Sequence, residues 1–224
     1  MSSRFEKFAT GVIAACALVV TAVFLLDRRT STRASADGGL AVATELSDAE
    51  FSLLDAHALP KSRAASVSVV EVIDLECPFC SRYSSTIDSL RAELGDTVQI
   101  RLLNFPISSH RFARSGAIAV ECAFLQQRGY DFVRTTYLNS DSIGFWSWPR
   151  LANHAGLTDT TSFNECRADS SIHARVDSAT SIGEKLGVRG TPTVFLDRWR
   201  YSRPPDLTRL LKDARTRAAG RSLP

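Results

Sequence analysis

Apolar positions change their period several times along this chain, and each change marks an element. Residues 9–26 carry no charge, and 18 such residues make a helix of about 27 Å, close to the roughly 30 Å hydrocarbon core of a bilayer. Arg4 and Lys7 precede the run, whereas Asp27, Arg28 and Arg29 follow it, so the count of basic residues does not orient it. Residues 30–39 are Ser, Thr, Ala, Gly and charge, the composition of a tether. Ser47-Asp48-Ala49-Glu50 then has the form of a capping box ahead of Phe51, Leu53 and Leu54. It predicts a short helix, either packed on the domain or part of the stalk, that ends by Pro60 to Ser66. Val67 to Leu75 is β-branched and apolar, as a strand buried on both faces would be. Tyr83, Ile87, Leu90 and Leu94 recur at helical spacing and stop at Gly95, and Val98 to Phe105 reads as a second strand. The result is β-α-β.

Between His110 and Val188 the period is almost wholly helical, with turn signals near Gly129, Asn139 to Gly144, Pro149 and Gly156 to Asp159. That block, about 108–187, is too long for a simple crossover and reads as a helical insertion. Gly187 to Pro192 breaks the helices. Thr193 to Leu196 follows as a strand, Trp199 to Tyr201 as its hairpin partner, and Leu207 to Ala218 as a last helix opened by Pro205-Asp206. The organisation predicted is an N-terminal anchor or signal segment (1–29), a tether with a short helix (30–65), and one folded α/β domain (66–219).

Composition adds limits rather than detail. The 224 residues are 44% hydrophobic, enough for one core, and a net charge of +3 is too small to argue for nucleic acid. Ala34-Ser35-Ala36 has the small-residue form of a signal-peptidase site but lies far beyond the apolar run. Ile13-Ala14-Ala15-Cys16 resembles a lipoprotein box, yet the sequence stays apolar after Cys16, which reads as a small membrane residue.

Chemistry concentrates at the junction of the first long strand and its helix, in Cys77-Pro78-Phe79-Cys80. Zinc would need a second suitably spaced pair, and neither Cys122 nor Cys166 has a further ligand three residues away, so no metal is expected. A single pair beside a β-α-β pattern reads as thiol-disulfide exchange. At a helix N-terminus, unpaired N–H groups and the helix dipole favour a thiolate and lower a cysteine pKa from about 8.5 toward 3.5–7.5. Cys77 is therefore the expected nucleophile, and Cys80, one turn on, resolves the mixed disulfide. Pro78 suits the first helical turn, where its missing N–H costs nothing, and Phe79 adds apolar surface. Glu71 is either a strand acid satisfied by a neighbour or a buried carboxylate relaying protons near Cys80. His110 reads as a helix-start or surface residue, with a role near the site as the alternative. Trp146 and Trp148 read as core or lip residues.

These pieces, Glu71 with Cys77-Pro78-Phe79-Cys80, His110 with the helix to Cys122-Ala123, and Gly187-Val188-Arg189-Gly190-Thr191-Pro192-Thr193, resemble the DsbA-like thiol-disulfide oxidoreductases of thioredoxin fold over roughly Val67 to Ala218. The resemblance implies a thioredoxin-like fold with a helical insertion. It implies a cis Thr191-Pro192 bond facing the cysteine pair, and substrate contacts from Thr191, Pro192, Pro78 and Phe79. Arg189 either meets substrate there or is an exposed arginine with no role. Some relatives carry a second bridge in the insertion. In an exported domain Cys122 and Cys166 would pair; two separately buried free thiols are the alternative.

The expected function is thus disulfide exchange with exported, cysteine-containing proteins, in the oxidising direction, with no cofactor. The alternatives are an envelope reductase, for example in cytochrome c maturation, and a non-catalytic thioredoxin-like polypeptide-binding module. Expected partners are cysteine-containing polypeptides and a membrane redox partner, without nucleic acid. The chain is expected as a monomer held at the cell membrane by residues 9–26, its domain on the periplasmic or extracytoplasmic side.

Overall fold

The structure, a computed structural model, describes residues 41–60 and 65–223. The span expected at 9–26 lies outside the described residues, among which no helix is long and apolar enough to cross a membrane.

Residues 41–223 belong to one compact unit built on a five-stranded sheet of order β1-β5-β4-β2-β3. Its strands are β1 (Ala43–Glu45), β2 (Val67–Ile73), β3 (Val98–Asn104), β4 (Thr193–Leu196) and β5 (Trp199–Tyr201). The unbroken apolar run of the sequence becomes β2, all seven residues of which are buried. It pairs in parallel with β3 from Val67–Val98 to Ile73–Asn104 and antiparallel with β4 from Val69–Leu196 to Val72–Thr193. A strand buried on both faces and paired on both edges cannot slip register without moving its whole apolar set. The carboxyl end of β2, where the chemistry lies, is therefore fixed.

Helix α1 (Asp48–His57) carries the capping box in full: the Ser47 hydroxyl accepts the Glu50 N–H, and Glu50 Oε2 accepts the Ser47 N–H at 2.8 Å. It packs on the domain. Arg101 of β3 is wholly buried and donates to Asp55 Oδ1 (2.6 Å) and to the carbonyls of Asp55, Ala58 and Pro60. Beyond it Leu59 exchanges two 2.7 Å backbone hydrogen bonds with Leu102, covering what would be an open edge of β3. Ala43–Glu45, within the 30–65 segment expected as a tether with a short helix, runs antiparallel to β5.

Helix α2 (Pro78–Leu94) carries the crossover between β2 and β3, burying Cys80, Ile87 and Leu90. The insertion is five helices: α3 (Ala113–Leu125), α4 (Gly129–Leu138), α5 (Trp148–His154), α6 (Thr160–Ala168) and α7 (Ser170–Lys185). Small residues dominate the buried face of α3, including Ala117, Ala119 and Ala123, so its neighbours approach closely. Trp148 is half-buried against this block and donates Nε1–H to Ser115 Oγ at 3.1 Å. At Gly187, with φ +73°, the chain leaves α7, and Arg200 Nη1 lies where a side chain would stand. Helix α8 (Leu207–Ala218) closes the domain, its N-cap Asp206 accepting the Arg209 N–H.

Candidate active site

Cys77 caps α2 with extended backbone (φ −74°, ψ 117°), Pro78 begins the helix, and Cys80 lies one turn in. Both cysteines are free thiols, 3% and 0% exposed. The Cys77 thiol donates to the Thr191 carbonyl at 3.2 Å, and the Thr191–Pro192 peptide is cis. Gly187 to Pro192, which breaks the helical pattern in the sequence, thus brings Thr191 and Pro192 against the end of β2, more than a hundred residues away.

The two sulfurs differ electrostatically. The Cys77 pKa is pulled down to about 5, chiefly by the hydrogen bond from the Cys80 side chain. Thr191 and the backbone N–H groups of Cys80 and Phe79 add to this, and partial burial opposes it. The Thr191 hydroxyl is buried without a partner while Cys77 is a thiol, so it remains available to a thiolate. Burial pushes the Cys80 thiol the other way, well above its ordinary value, helped by its hydrogen bond to Cys77 and the nearby charge of Glu71. One sulfur is therefore set up as a nucleophile and leaving group, whereas the other must receive a proton when it is released.

Glu71 supplies a candidate for that proton. It sits in the middle of β2, 2% exposed, with Oε1 unpartnered, and burial first, then the charges of Asp88 and Cys77, lift its pKa to about 8. A cavity of about 650 Å³ between α2, β3 and α4 reaches it, lined also by Tyr137, Ile87, Leu102 and Asp88. A second groove, of about 380 Å³, is lined by Phe79, Arg82, Tyr83, Thr86, Thr191, Pro192 and Pro204. Phe79 is 62% exposed at its edge.

Sequence reasoning missed the residues that hold the motif in place. Asp74, buried just past β2, accepts the N–H groups of Glu76 (2.8 Å) and Ile107 (2.9 Å) and bonds His110 Nδ1 at 2.8 Å. Its carbonyl accepts the Cys77 N–H at 3.1 Å and the Tyr137 hydroxyl at 3.4 Å. Glu76 Oε2 accepts the Phe112 N–H at 2.6 Å, tying the motif to the start of α3. The available signal was an acid directly after an apolar strand, a position where a buried carboxylate must find donors. His110 thus reaches the motif through Asp74 rather than touching a cysteine.

Cys122 and Cys166 lie elsewhere, joined in a disulfide between α3 and α6 with Cα atoms 5.8 Å apart. Trp146 packs against His154 with the rings tilted by 49°, and the Arg150 guanidinium lies 3.9 Å from the Trp146 ring centroid. No group of His, Cys, Asp and Glu among the described residues is arranged to hold a metal ion.

The thioredoxin family model matches residues 62–213. Among solved structures, BdbD from Bacillus subtilis superposes with a TM-score of 0.63 at 19% identity, covering 80% of this chain and 99% of that one. A thioredoxin-like oxidoreductase from Silicibacter pomeroyi gives 0.62 at 21%, covering 79% and 100%, and the thiol-disulfide exchange protein alpha-DsbA2 from Wolbachia pipientis 0.60 at 18%, covering 75% and 93%. These likenesses describe the fold. The Na(+)/H(+) antiporter NhaA 1 of Mycolicibacterium gilvum is 31% identical over 150 residues, 66% of this chain and 24% of that protein. The chain spans about a quarter of the length of such curated relatives, and antiport belongs to those proteins as wholes.

Proposed function

The chain belongs to the thioredoxin family, and on that premise we propose that it is a protein thiol-disulfide oxidoreductase working through Cys77 and Cys80, in the oxidising direction. The observation that carries the reading is the asymmetry of the pair: a Cys77 thiol acidified to about 5 beside a buried Cys80 whose pKa is raised. Stabilising the thiolate stabilises the reduced protein and so makes the disulfide the stronger oxidant.

In the proposed cycle a substrate thiolate attacks Cys77 Sγ of the oxidised pair. The Cys77–Cys80 bond breaks as the mixed disulfide forms, and its electron pair leaves on Cys80, which takes a proton from the neutral Glu71 carboxyl. A second substrate thiolate then attacks the substrate sulfur of the mixed disulfide, closing the substrate's own disulfide and releasing Cys77 as a thiolate. Two electrons have passed from substrate to protein, and a membrane redox partner removes them to restore the Cys77–Cys80 bond. Thr191 and Pro192, with Pro78 and Phe79, hold the substrate chain alongside the cysteines.

Equilibration of the pair with glutathione tests the direction. A reduction potential nearer about −120 mV than about −270 mV is expected, and a value near the latter would make the protein a reductant. Cys77→Ser should abolish exchange; unchanged cellular function in that variant would favour a polypeptide-binding role instead. We also propose that residues 9–26 anchor the chain with its domain on the extracytoplasmic side. A reporter fused after Leu223 that proved cytoplasmic would overturn this placement.

A further inference from the structure

The groove beside the cysteines carries charge that the exchange reading does not use. Elsewhere some arginines meet carboxylates, as Arg114 does Asp177 at 2.9 Å and Arg217 does Asp197 at 3.1 Å, and others, such as Arg91 and Arg150, lie over aromatic rings. Around the cysteines Arg82, Arg111, Arg189 and Arg203 are all exposed, and none forms an ion pair among the described residues. Arg82 lines the groove and lies 4.5 Å over the Phe79 ring. Arg189 is two residues before Thr191, Arg203 adjoins Pro204 of the groove wall, and Arg111 sits 5.2 Å from the ring of Phe112. Phe112 is the residue tied to Glu76, the neighbour of Cys77 in the chain.

Two nearby acids, Glu76 and Asp206, accept backbone N–H groups, Glu76 that of Phe112 and Asp206 that of Arg209. An arginine laid on an aromatic face keeps its charge and its outward N–H groups, because the ring offers no counter-ion. Unpaired like charges around a cleft raise the local concentration of the opposite charge and speed its arrival.

We infer that the groove beside Cys77 selects cysteine-containing polypeptide segments whose flanking residues are acidic. The inference rests on the exchange reading. The substrate lies extended against Thr191 and Pro192, its cysteine at Cys77 and its Asp or Glu side chains at Arg82, Arg189, Arg203 and Arg111. The groove's apolar walls accept the remaining side chains, and the arginines set the register.

Two reduced dithiol peptides, identical except for Glu or Lys at the positions flanking the cysteines, test this with the oxidised full-length chain. At about 0.01 M salt, where screening is weak, the Glu peptide should be oxidised about tenfold faster, the lower end of what steering supplies. In about 1 M salt the ratio should fall toward one, as it should in an Arg82→Ser/Arg189→Ser variant. Equal rates for the two peptides at low salt, or a preference that the double substitution leaves intact, overturns the inference alone. Failure to oxidise either peptide overturns the exchange reading and this inference with it.

Discussion

At single residues, two protons are displaced from their ordinary pH range. The reduced folded protein has released the Cys77 proton above about pH 5, whereas an unfolded chain holds it up to about pH 9. This contribution to stability is fully present above the unfolded value and is lost as pH falls through the folded one. Glu71 works in the opposite sense: the folded protein keeps its proton from about pH 4.5 to 8 after the unfolded chain has lost it, so stability falls as pH rises through that window. Between pH 5 and 8 the two slopes oppose each other. Glu71→Gln removes one of them, so the melting temperature of the reduced variant should climb from pH 5 to pH 8 relative to the wild type; parallel curves would show that Glu71 does not titrate there. The same variant should slow the release of Cys80 by about 10²-fold in stopped-flow exchange, the low end of what a positioned proton-transfer group contributes. Iodoacetamide should label Cys77 of the reduced protein with a midpoint near pH 5 and leave Cys80 unlabelled, as peptide mapping would read.

At the scale of elements, the parts that local pattern dictates are those the sequence displayed. The continuous apolar run became β2, the three- and four-residue spacing became α2, and Ser47 with Glu50 became the cap of α1. What stayed hidden depends on pairing across long separations. Three residues are too few to show a period, so β1 is visible only through its hydrogen bonds to β5. Arg101 reads as a polar interruption in a strand until α1 and the turn after it are seen to place four acceptors around it. Arg101→Leu strands Asp55 and three carbonyls and should cost about 3–5 kcal/mol, read from the urea midpoint. Ser47→Ala should cost only about 1 kcal/mol. The Cys122–Cys166 bridge closes 44 residues across α3 to α6. Its removal in Cys122→Ala/Cys166→Ala should cost about 2–4 kcal/mol by the same measurement while leaving the acidity of Cys77 unchanged, because the groups that acidify Cys77 are Cys80, Thr191 and Phe79.

At the scale of the whole molecule, a rigid sheet brings two distant stretches to one point: the turn from β2 into α2 and the loop before β4. Asp74 and Glu76 then lock that point to α3. The motif itself was legible because Cys-x-x-Cys after a strand carries its chemistry locally. Its supporting carboxylates were not, since their donors, Ile107, His110 and Phe112, arrive from beyond β3. In the proposed cycle this assembly passes electrons from substrate thiols to one cysteine pair. The direct test is to mix the oxidised full-length chain with a reduced dithiol peptide, quench by alkylation, and map both by mass spectrometry. The expected products are a peptide closed into its disulfide, alkyl groups on Cys77 and Cys80, and an intact Cys122–Cys166 bridge. A peptide still reduced beside an intact Cys77–Cys80 bond, or electrons found at Cys122 and Cys166 instead, would contradict it.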